Sequence, residues 1–304
     1  MTHWRYLQAE AALTPDEWIE PAAILIEDGL IRAIAPADAL PCPPDAERIN
    51  LPGLAVPGLI DLQINGAFGH DFTANPATIW EVAARLPRYG VTAFLPTIIT
   101  SPPEVMAEAQ AMVTAVPAGT QGARPLGLHI EGPFLNPARR GAHNPEYLRK
   151  PDPTLIAAWT IERGVRLVTL APELPGALEI VHTLRERGIA VSAGHTTASF
   201  DEAQAGVKAG LSYATHLFNA MPPLDHREPR FEALLLCVER ADARAQTFLA
   251  RVQRPLRRKQ LLHLRAQPYG EALLARDRRR GGEQSRDFGR VGTHRVGELG
   301  VVQA

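Results

Sequence analysis

The stretch IAVSAGHTTASFDEAQAGVKAGLSYATHLFNAM, residues 189–221, decides how the chain folds. Its pattern predicts a strand, a helix and a second strand, with Ser199 as the helix N-cap and Gly210 at the helix end. His195 and His216 then lie at the carboxyl ends of two neighbouring parallel strands. Such ends converge on the crevice where α/β proteins place their chemistry. Either histidine alone would be read as a hydrogen-bonded core residue, but the pair on one rim indicates a functional site.

Upstream of this stretch, apolar strands alternate with amphipathic helical segments from residue 56 onward. Near-continuous apolar strands separated by helices are typical of a parallel sheet covered on both faces. Six such strands favour an α/β fold of the TIM-like (β/α) barrel type over an open sheet, with strands 1 to 6 in residues 56–229. Nucleotide binding has no support, because no GxGxxG or Walker A pattern follows a strand. The predicted strands are 58–64, 92–99, 125–130, 166–170, 189–192 and 211–217, and the predicted helices are 79–86, 104–113, 154–163, 176–187 and 199–210.

Residues 1–55 have a different pattern, which predicts a small β-domain. Short apolar runs at 4–7, 23–26 and 30–34 are predicted strands, and Glu27-Asp28-Gly29 is the turn between two of them. The Pro-rich segment 39–53 is predicted to be a linker. We therefore expect a small N-terminal β-structure that flanks the barrel and carries no catalytic residues.

Composition excludes several functional classes. The 304-residue chain has 32 Lys and Arg against 33 Asp and Glu, so its overall charge predicts no nucleic-acid partner and no membrane partner. No apolar run is long enough to span a bilayer. The two cysteines, Cys42 and Cys237, form neither a disulfide framework nor a zinc ribbon. We expect a soluble cytoplasmic protein with a small-molecule ligand.

Polar residues end the predicted strands. Side chains alternate along a strand, so Gln63 and Asn65 face one side of the first barrel strand, and Glu131 faces the same side as His129 on the third. A buried carboxylate must be paired or bind a metal. Glu131 with the two rim histidines forms the two-His-one-carboxylate set that holds a divalent metal. A structural polar cluster is the alternative.

Five ordered motifs extend these observations: PGLIDLQING, GLHIEGPFLNPARRGAHNPEYL, TLAPE, VSAGHT and ATHLFNAMPPLDHREP. Together they resemble the motifs of N-acetylglucosamine-6-phosphate deacetylases in the amidohydrolase superfamily. The resemblance implies a TIM-like barrel of the metal-dependent hydrolase type with a small β-sandwich, usually as a homodimer. It also implies hydrolysis of the 2-acetamido group of N-acetyl-D-glucosamine 6-phosphate to D-glucosamine 6-phosphate and acetate.

By this resemblance, Glu131, His195 and His216 are the metal ligands. Many members of the superfamily carry HxH on the first strand and bind a second metal there. Here Gln63 and Asn65 occupy that place, and an amide is a poor zinc ligand, so the resemblance implies a vacant second-metal position. One divalent metal is expected, with zinc preferred and iron as the alternative.

The resemblance also implies the residues that bind substrate. Ala142 and His143, in the loop after the third strand, would border the sugar. Asn219 and Ala220, after the sixth strand, would hold sugar hydroxyls or phosphate. Arg227 would bind the 6-phosphate, which suits the bidentate geometry of a guanidinium group. A surface salt bridge with the neighbouring glutamate is the alternative for that arginine.

The expected pattern stops near residue 230. The family's catalytic Asp lies in a TDA-type motif at the end of the eighth strand, and this motif is absent, so no catalytic residue is assigned. Residues 230–304 are rich in arginine, and strands 7 and 8 are not recognisable, which predicts an incomplete barrel. Our hypothesis is a shifted reading frame or a sequencing error from about Arg230 onward, and it fails if neither other frame of the encoding DNA continues with a TDA motif. We expect the chain as written to fold poorly or to be nearly inactive.

Two other functions remain open at this point. The first is another metal-dependent amidohydrolase, such as a D-aminoacylase or a dihydroorotase-like enzyme, although FNAM and LDHREP argue against it. The second is a non-catalytic remnant that binds metal or sugar phosphate without turnover.

Overall fold

The structure is a computed structural model that describes residues 2–223, 295–296 and 299–302. The chain divides into two compact units, one that ends at Leu59 and one that begins at Ile60. Arg227 and most of the segment 230–304 lie outside the described residues, so the predictions for them stay predictions. Among the described helices, none is long and apolar enough to cross a membrane.

The first unit is a five-stranded sheet in which β1 is central. Strand β1 pairs antiparallel with β2 and β3 and parallel with β5, and β4 follows β3. The predicted N-terminal β-structure is therefore present. Its strands are β1 (Trp4–Leu13), β2 (Trp18–Ile19), β3 (Ala22–Glu27), β4 (Leu30–Pro36) and β5 (Glu47–Ala55).

The predicted linker 39–53 is wrong for its second half, because β5 occupies Glu47–Ala55. This strand contains Pro52 and Gly53, which are depleted in strands, and its residues alternate between exposed and half-buried. Pairing with β1 outweighs these local preferences, since β1 supplies backbone partners from Arg5 to Ala12.

The second unit contains a curled, mainly parallel sheet with helices in its connections. The strands follow the sequence in the order β6-β7-β9-β10-β11-β12, and each pair from β7 onward is parallel. The α/β prediction is confirmed, and the sheet order is that of a barrel wall. The elements are β6 (Leu59–Ile64), α1 (Ile79–Arg85), β7 (Val91–Ile99), α2 (Pro103–Thr114), β8 (Arg124–Pro125), β9 (Leu128–Glu131), β10 (Val165–Leu170), α3 (Ala177–Glu186), β11 (Ala190–Ala193), α4 (Phe200–Ala209) and β12 (Tyr213–Thr215).

Two short strands near the C-terminus continue this sheet. Strand β14 (Leu299–Val302) pairs parallel with β12, and β13 (Arg295–Val296) pairs antiparallel with β14. No strand is predicted after residue 229, so this pairing is a difference from the prediction. The register places Ala214 opposite Val301.

Strand alternation separates the polar interior from the apolar core. All four residues of β9 are buried. Leu128 and Ile130 belong to the large apolar cluster shared with the helices, whereas His129 and Glu131 make their side-chain contacts with residues of the neighbouring strands and their loops. The same strand therefore anchors the core and points its polar side chains away from it.

The predicted helix at 154–163 is wrong. The segment forms successive turns with i to i+3 hydrogen bonds, such as Ala157 to Thr154. Side chains from other elements take the carbonyl groups that a helix would use: Gln110 donates to the carbonyls of Ala158 and Arg163, and Arg187 donates to that of Trp159. The other predicted helices are present within a few residues of their expected ends.

Candidate metal centre

Three strand ends deliver the central side chains. Glu131 is the last residue of β9. His195 follows β11 after one residue, and His216 follows β12 directly. Both histidines have left-handed backbone conformations, with φ of 51° and 55°, which typically costs on the order of 1 kcal/mol for a residue with a Cβ. Gly194 precedes His195. A Cβ added to Gly194 would lie only 2.7 Å from the side chain of Thr169, so the chain passes close to that residue. The backbone is thus bent sharply at the point where each imidazole leaves the sheet.

The structure brings Glu131, His195 and His216 together. One carboxylate oxygen, Oε1 of Glu131, lies 3.0 Å from Nε2 of His195 and 2.7 Å from Nε2 of His216. One ligand atom from each residue lies within 4.8 Å of the other two. The imidazole rings meet edge to face, with centroids 5.0 Å apart. Three side chains of the types that bind divalent metals therefore bring their ligand atoms close together.

The carboxyl group of Glu131 is ionised in this setting. Burial alone would raise its pKa, but the imidazoles of His195 and His216, each with Nε2 at hydrogen-bonding distance, hold the pKa well below its ordinary value. The side chain is 2% exposed, so its negative charge is shielded little by water. Such a charge requires a positive partner.

The hydrogen bonds of His195 show that the donor set fits a metal. Nδ1 of His195 lies 2.7 Å from the backbone carbonyl of Arg139, which can only accept. In the neutral ring, Nδ1 then carries the proton, and the lone pair of Nε2 faces the carboxylate of Glu131. Two acceptors at hydrogen-bonding distance repel each other unless a cation or a second proton lies near them. A divalent cation meets this need and matches the preference of metal-bound histidines for a carbonyl behind the ring.

Gln63 contacts the centre, and Asn65 does not. Nε2 of Gln63 donates to Oε2 of Glu131 at 3.1 Å, which leaves Oε1 of the carboxylate to the histidines. Oε1 of Gln63 is buried and has no hydrogen-bond partner among the described residues. The side chain of Asn65 makes no hydrogen bond to this cluster within the described part of the chain. The idea that these residues mark a vacant second-metal position stays a prediction.

His143 lies beside the cluster. Its Nδ1 contacts the hydroxyl of Thr100 at 2.8 Å, and its Nε2 lies 3.8 Å from Oε2 of Glu131. The centroid of its ring lies 4.5 Å from that of the His195 ring. Burial, opposed by Glu131, lowers the pKa of His143 to about 4. His143 therefore presents a neutral imidazole with Nε2 facing the centre, and its contact with substrate stays a prediction.

The other predicted substrate residues are more peripheral. Ala142 and Asn219 are exposed on their loops. The carbonyl of Ala220 accepts a hydrogen bond from the backbone of Thr196 at 3.3 Å, and Ala220 has a left-handed φ of 49°. The structure thus shows their positions on the rim, and their contacts with substrate stay predictions.

A buried polar layer lies one step below Glu131. Nε2 of His129 is 2.7 Å from the hydroxyl of Thr169, which is 2.8 Å from that of Thr215. Ser192 continues the chain at 2.7 Å, and Thr97 contacts the other nitrogen of His129 at 3.3 Å. Burial, the largest cause, lowers the pKa of His129 to about 4. This network fills the polar side of the sheet with paired groups, as buried polar residues require.

Three further residues hold the centre in place, and no sequence pattern predicts their contacts. Thr100 contacts His143, while Asn136 and Glu173 connect the loops on either side of His195. Asn136 and Glu173 lie in the motifs GLHIEGPFLNPARRGAHNPEYL and TLAPE, but nothing in one sequence indicates which distant loops a polar side chain joins.

Known proteins resemble this chain in sequence and in fold. The model of the Amidohydrolase family matches residues 54–253. Human N-acetylglucosamine-6-phosphate deacetylase is 39% identical over 246 residues, covering 77% of this chain. The Bacillus subtilis enzyme of the same name is 37% identical over 228 residues, covering 72% of this chain. A mutant N-acetyl-D-glucosamine-6-phosphate deacetylase from Mycobacterium smegmatis, solved in complex with N-acetyl-D-glucosamine 6-phosphate, superposes with a TM-score of 0.68 at 34% identity and covers 78% of this chain.

The chain matches only part of each relative. It spans 58% of the human protein, 57% of the Bacillus protein and 62% of the Mycobacterium chain. The range matched by the family model, 54–253, contains Glu131, His195 and His216.

Proposed function

Because the chain belongs to the amidohydrolase family, we propose that it hydrolyses the acetamido group of N-acetyl-D-glucosamine 6-phosphate. The products would be D-glucosamine 6-phosphate and acetate. The observation that carries this proposal is the convergence of Glu131, His195 and His216 at the carboxyl ends of parallel strands. The names and identities of the matched relatives support the choice of substrate.

We assign one divalent metal to Glu131, His195 and His216, with zinc preferred and iron as the alternative. When bound, such a cation supplies a Lewis acid that activates water and polarises the amide carbonyl. Gln63 keeps the second carboxylate oxygen of Glu131 occupied, and the carbonyl of Arg139 holds His195 with Nε2 toward the centre.

Substrate binding is proposed for the residues around this centre. His143 is buried against Glu131 and His195, and its free nitrogen suits a hydrogen bond to a sugar hydroxyl or to the acetamido oxygen. Ala142 and Asn219 would border the sugar, with the backbone of Ala220 beside them. Arg227 would bind the 6-phosphate with two parallel hydrogen bonds. By the same family resemblance, we propose a cytoplasmic homodimer.

Metal content and acetate release from the purified full chain test the proposal. We expect one equivalent of zinc or iron per chain. We also expect acetate from N-acetyl-D-glucosamine 6-phosphate at a rate above that of a Glu131→Gln control. N-acetyl-D-glucosamine without the phosphate should react more slowly if the phosphate is recognised. Release of product only from N-acyl-D-amino acids or dihydroorotate would replace the proposal with the alternative amidohydrolase.

One observation favours a second candidate, a protein that binds metal and sugar phosphate with little turnover. The sequence after residue 229 contains no TDA-type motif, so the general base expected from the family resemblance is not identified. Zinc bound at one equivalent without acetate release would favour this candidate.

A further inference from the structure

Glu173 joins three loops around the candidate metal centre. It lies three residues after β10, in the motif TLAPE. Its Oε1 accepts hydrogen bonds from the backbone N–H of Thr197 at 2.6 Å, from the hydroxyl of Thr197 at 3.2 Å and from Nδ2 of Asn136 at 2.9 Å. Its Oε2 accepts from the hydroxyl of Thr196. One carboxylate thus connects the segments that follow β9, β10 and β11.

Asn136 binds the same loops through its backbone N–H and its side chain. Its backbone N–H donates to the carbonyl of His195 at 2.9 Å. Its Oδ1 accepts from the N–H of Ala138 at 2.9 Å and caps the short 3-10 helix Pro137–Arg139. Its Nδ2 donates to Glu173 and, at 2.8 Å, to the hydroxyl of Thr197. Side chains committed in this way have little freedom to move.

These contacts hold His195 at two points. Its backbone carbonyl is bound by Asn136, and its Nδ1 contacts the carbonyl of Arg139 at the end of the capped 3-10 helix. The residues that follow it, Thr196 and Thr197, are bound by Glu173. The left-handed φ of His195 needs such support, because that conformation is unfavourable without it.

We propose that Glu173 is a positioning residue that sets the direction of the His195 imidazole through Asn136 and Thr197, and thereby the metal affinity of the centre. The inference rests on the metal centre of the proposed function. No described contact joins Glu173 directly to Glu131 or His216, so its effect on the metal passes through His195. Loss of such a supporting group typically lowers metal affinity about 10- to 100-fold.

Two substitutions separate positioning from general stability. Glu173→Gln keeps the shape of the side chain but replaces an acceptor oxygen with a donor, which then faces a donor. Asn136→Asp keeps the 3-10 cap and the backbone N–H but places a second carboxylate against Glu173. In the double variant, the new amide at position 173 can donate to the new carboxylate at position 136. One hydrogen bond is thereby restored, with donor and acceptor exchanged. The matched control is Glu202→Gln, which disturbs the capping box that Glu202 forms with Ser199 at the start of α4. Glu202 makes no described hydrogen bond to Asn136 or Glu173.

The readout is metal affinity of the full chain, measured by zinc competition with a chelating dye and by the visible absorption of bound Co²⁺. We expect a loss of tenfold or more for Glu173→Gln and for Asn136→Asp, partial recovery in the double variant, and a change below twofold for Glu202→Gln. Should either single variant fail to fold, by circular dichroism, the other decides.

Affinities of both single variants within twofold of the parent would overturn the inference, and so would an equal loss in Glu202→Gln. In both cases the parent still binds metal, and the proposed function stands. A parent that binds no zinc or Co²⁺ would overturn the metal centre and the inference together.

Discussion

Nε2 of His216 lies 2.7 Å from Oε1 of Glu131, although 85 positions separate the two residues in the chain. The distance follows from topology. Strands β9, β10, β11 and β12 are adjacent and parallel, so their carboxyl ends share one rim of the sheet. Because the sheet curls, side chains from strands that are not neighbours can meet above it. The centre is therefore a product of the strand order and needs no long loop.

Substitution of Glu131 by glutamine should abolish metal binding. The change removes the negative charge that both imidazoles face and leaves two nitrogen ligands, which is too few for a stable site. We expect metal content to fall from about one equivalent to below a tenth, measured by elemental analysis after dialysis. The matched control is Glu186→Gln on the exposed face of α3, which should retain full occupancy. Unchanged occupancy in Glu131→Gln would contradict the assignment.

The three central residues could be predicted from the sequence because each lies at the end of a recognisable apolar strand or within two residues of it. Strand alternation predicts that Gln63 and Asn65 face one side of β6, and of these two only Gln63 makes a described hydrogen bond to Glu131. The burial of His143 was not predictable, because it depends on Thr100 at the end of β7, 43 positions earlier. Contacts between loops depend on the packed structure, which a single sequence does not encode as a local pattern.

The metal-free protein should become less stable as the pH is lowered from about 6.5 to about 4. The folded-state pKa of His129 is about 4, against an ordinary value of 6.5, so the unfolded chain binds a proton in this range and the folded chain does not. For this residue alone, we expect a loss of about 2 kcal/mol in unfolding free energy from pH 7.5 to pH 5. Urea titrations at several pH values would measure it.

His143 has the same direction of shift and should add to this dependence. Glu131 contributes in a lower range, because its depressed pKa matters only below about 4.5. The control is His129→Gln, which removes the titrating group and should flatten the slope between pH 7.5 and pH 5. An equal slope in the variant would show that other groups cause the loss.

The fold was predictable where the local pattern and the tertiary pairing agree. Helix α4 begins at the N-cap identified in the sequence, Ser199, because the side chain of Glu202 completes a capping box there. Strand β5 was missed because its proline and glycine favour a loop, whereas its pairing with β1 is visible only in the folded sheet. The turns at 154–163 were missed for the converse reason. Their apolar spacing suits a helix, but side chains of Gln110 and Arg187 bind their carbonyls.

Removal of the Ser199 hydroxyl should destabilise the folded chain by about 1 kcal/mol, since Ser199→Ala loses the N-cap of α4. Its Oγ accepts from the N–H of Glu202 at 3.3 Å and donates to the carboxylate of Glu202 at 2.8 Å. The matched control is Ser212→Ala after the same helix, because the buried Oγ of Ser212 has no partner among the described residues. We expect that control to be neutral or stabilising in urea unfolding. Equal losses in the two variants would contradict the role of the cap.

The full chain should bind metal yet hydrolyse N-acetyl-D-glucosamine 6-phosphate slowly. The cluster of Glu131, His195 and His216 is assembled, but the sequence carries no TDA-type aspartate to act as general base. General acid–base catalysis typically contributes about 10²–10⁴ in rate. We therefore expect acetate release about 10²–10⁴ times slower than that of the Bacillus subtilis relative assayed beside it, with comparable zinc content in both proteins. Turnover within tenfold of the relative would contradict this expectation, because a base elsewhere in the chain would then have to replace the aspartate.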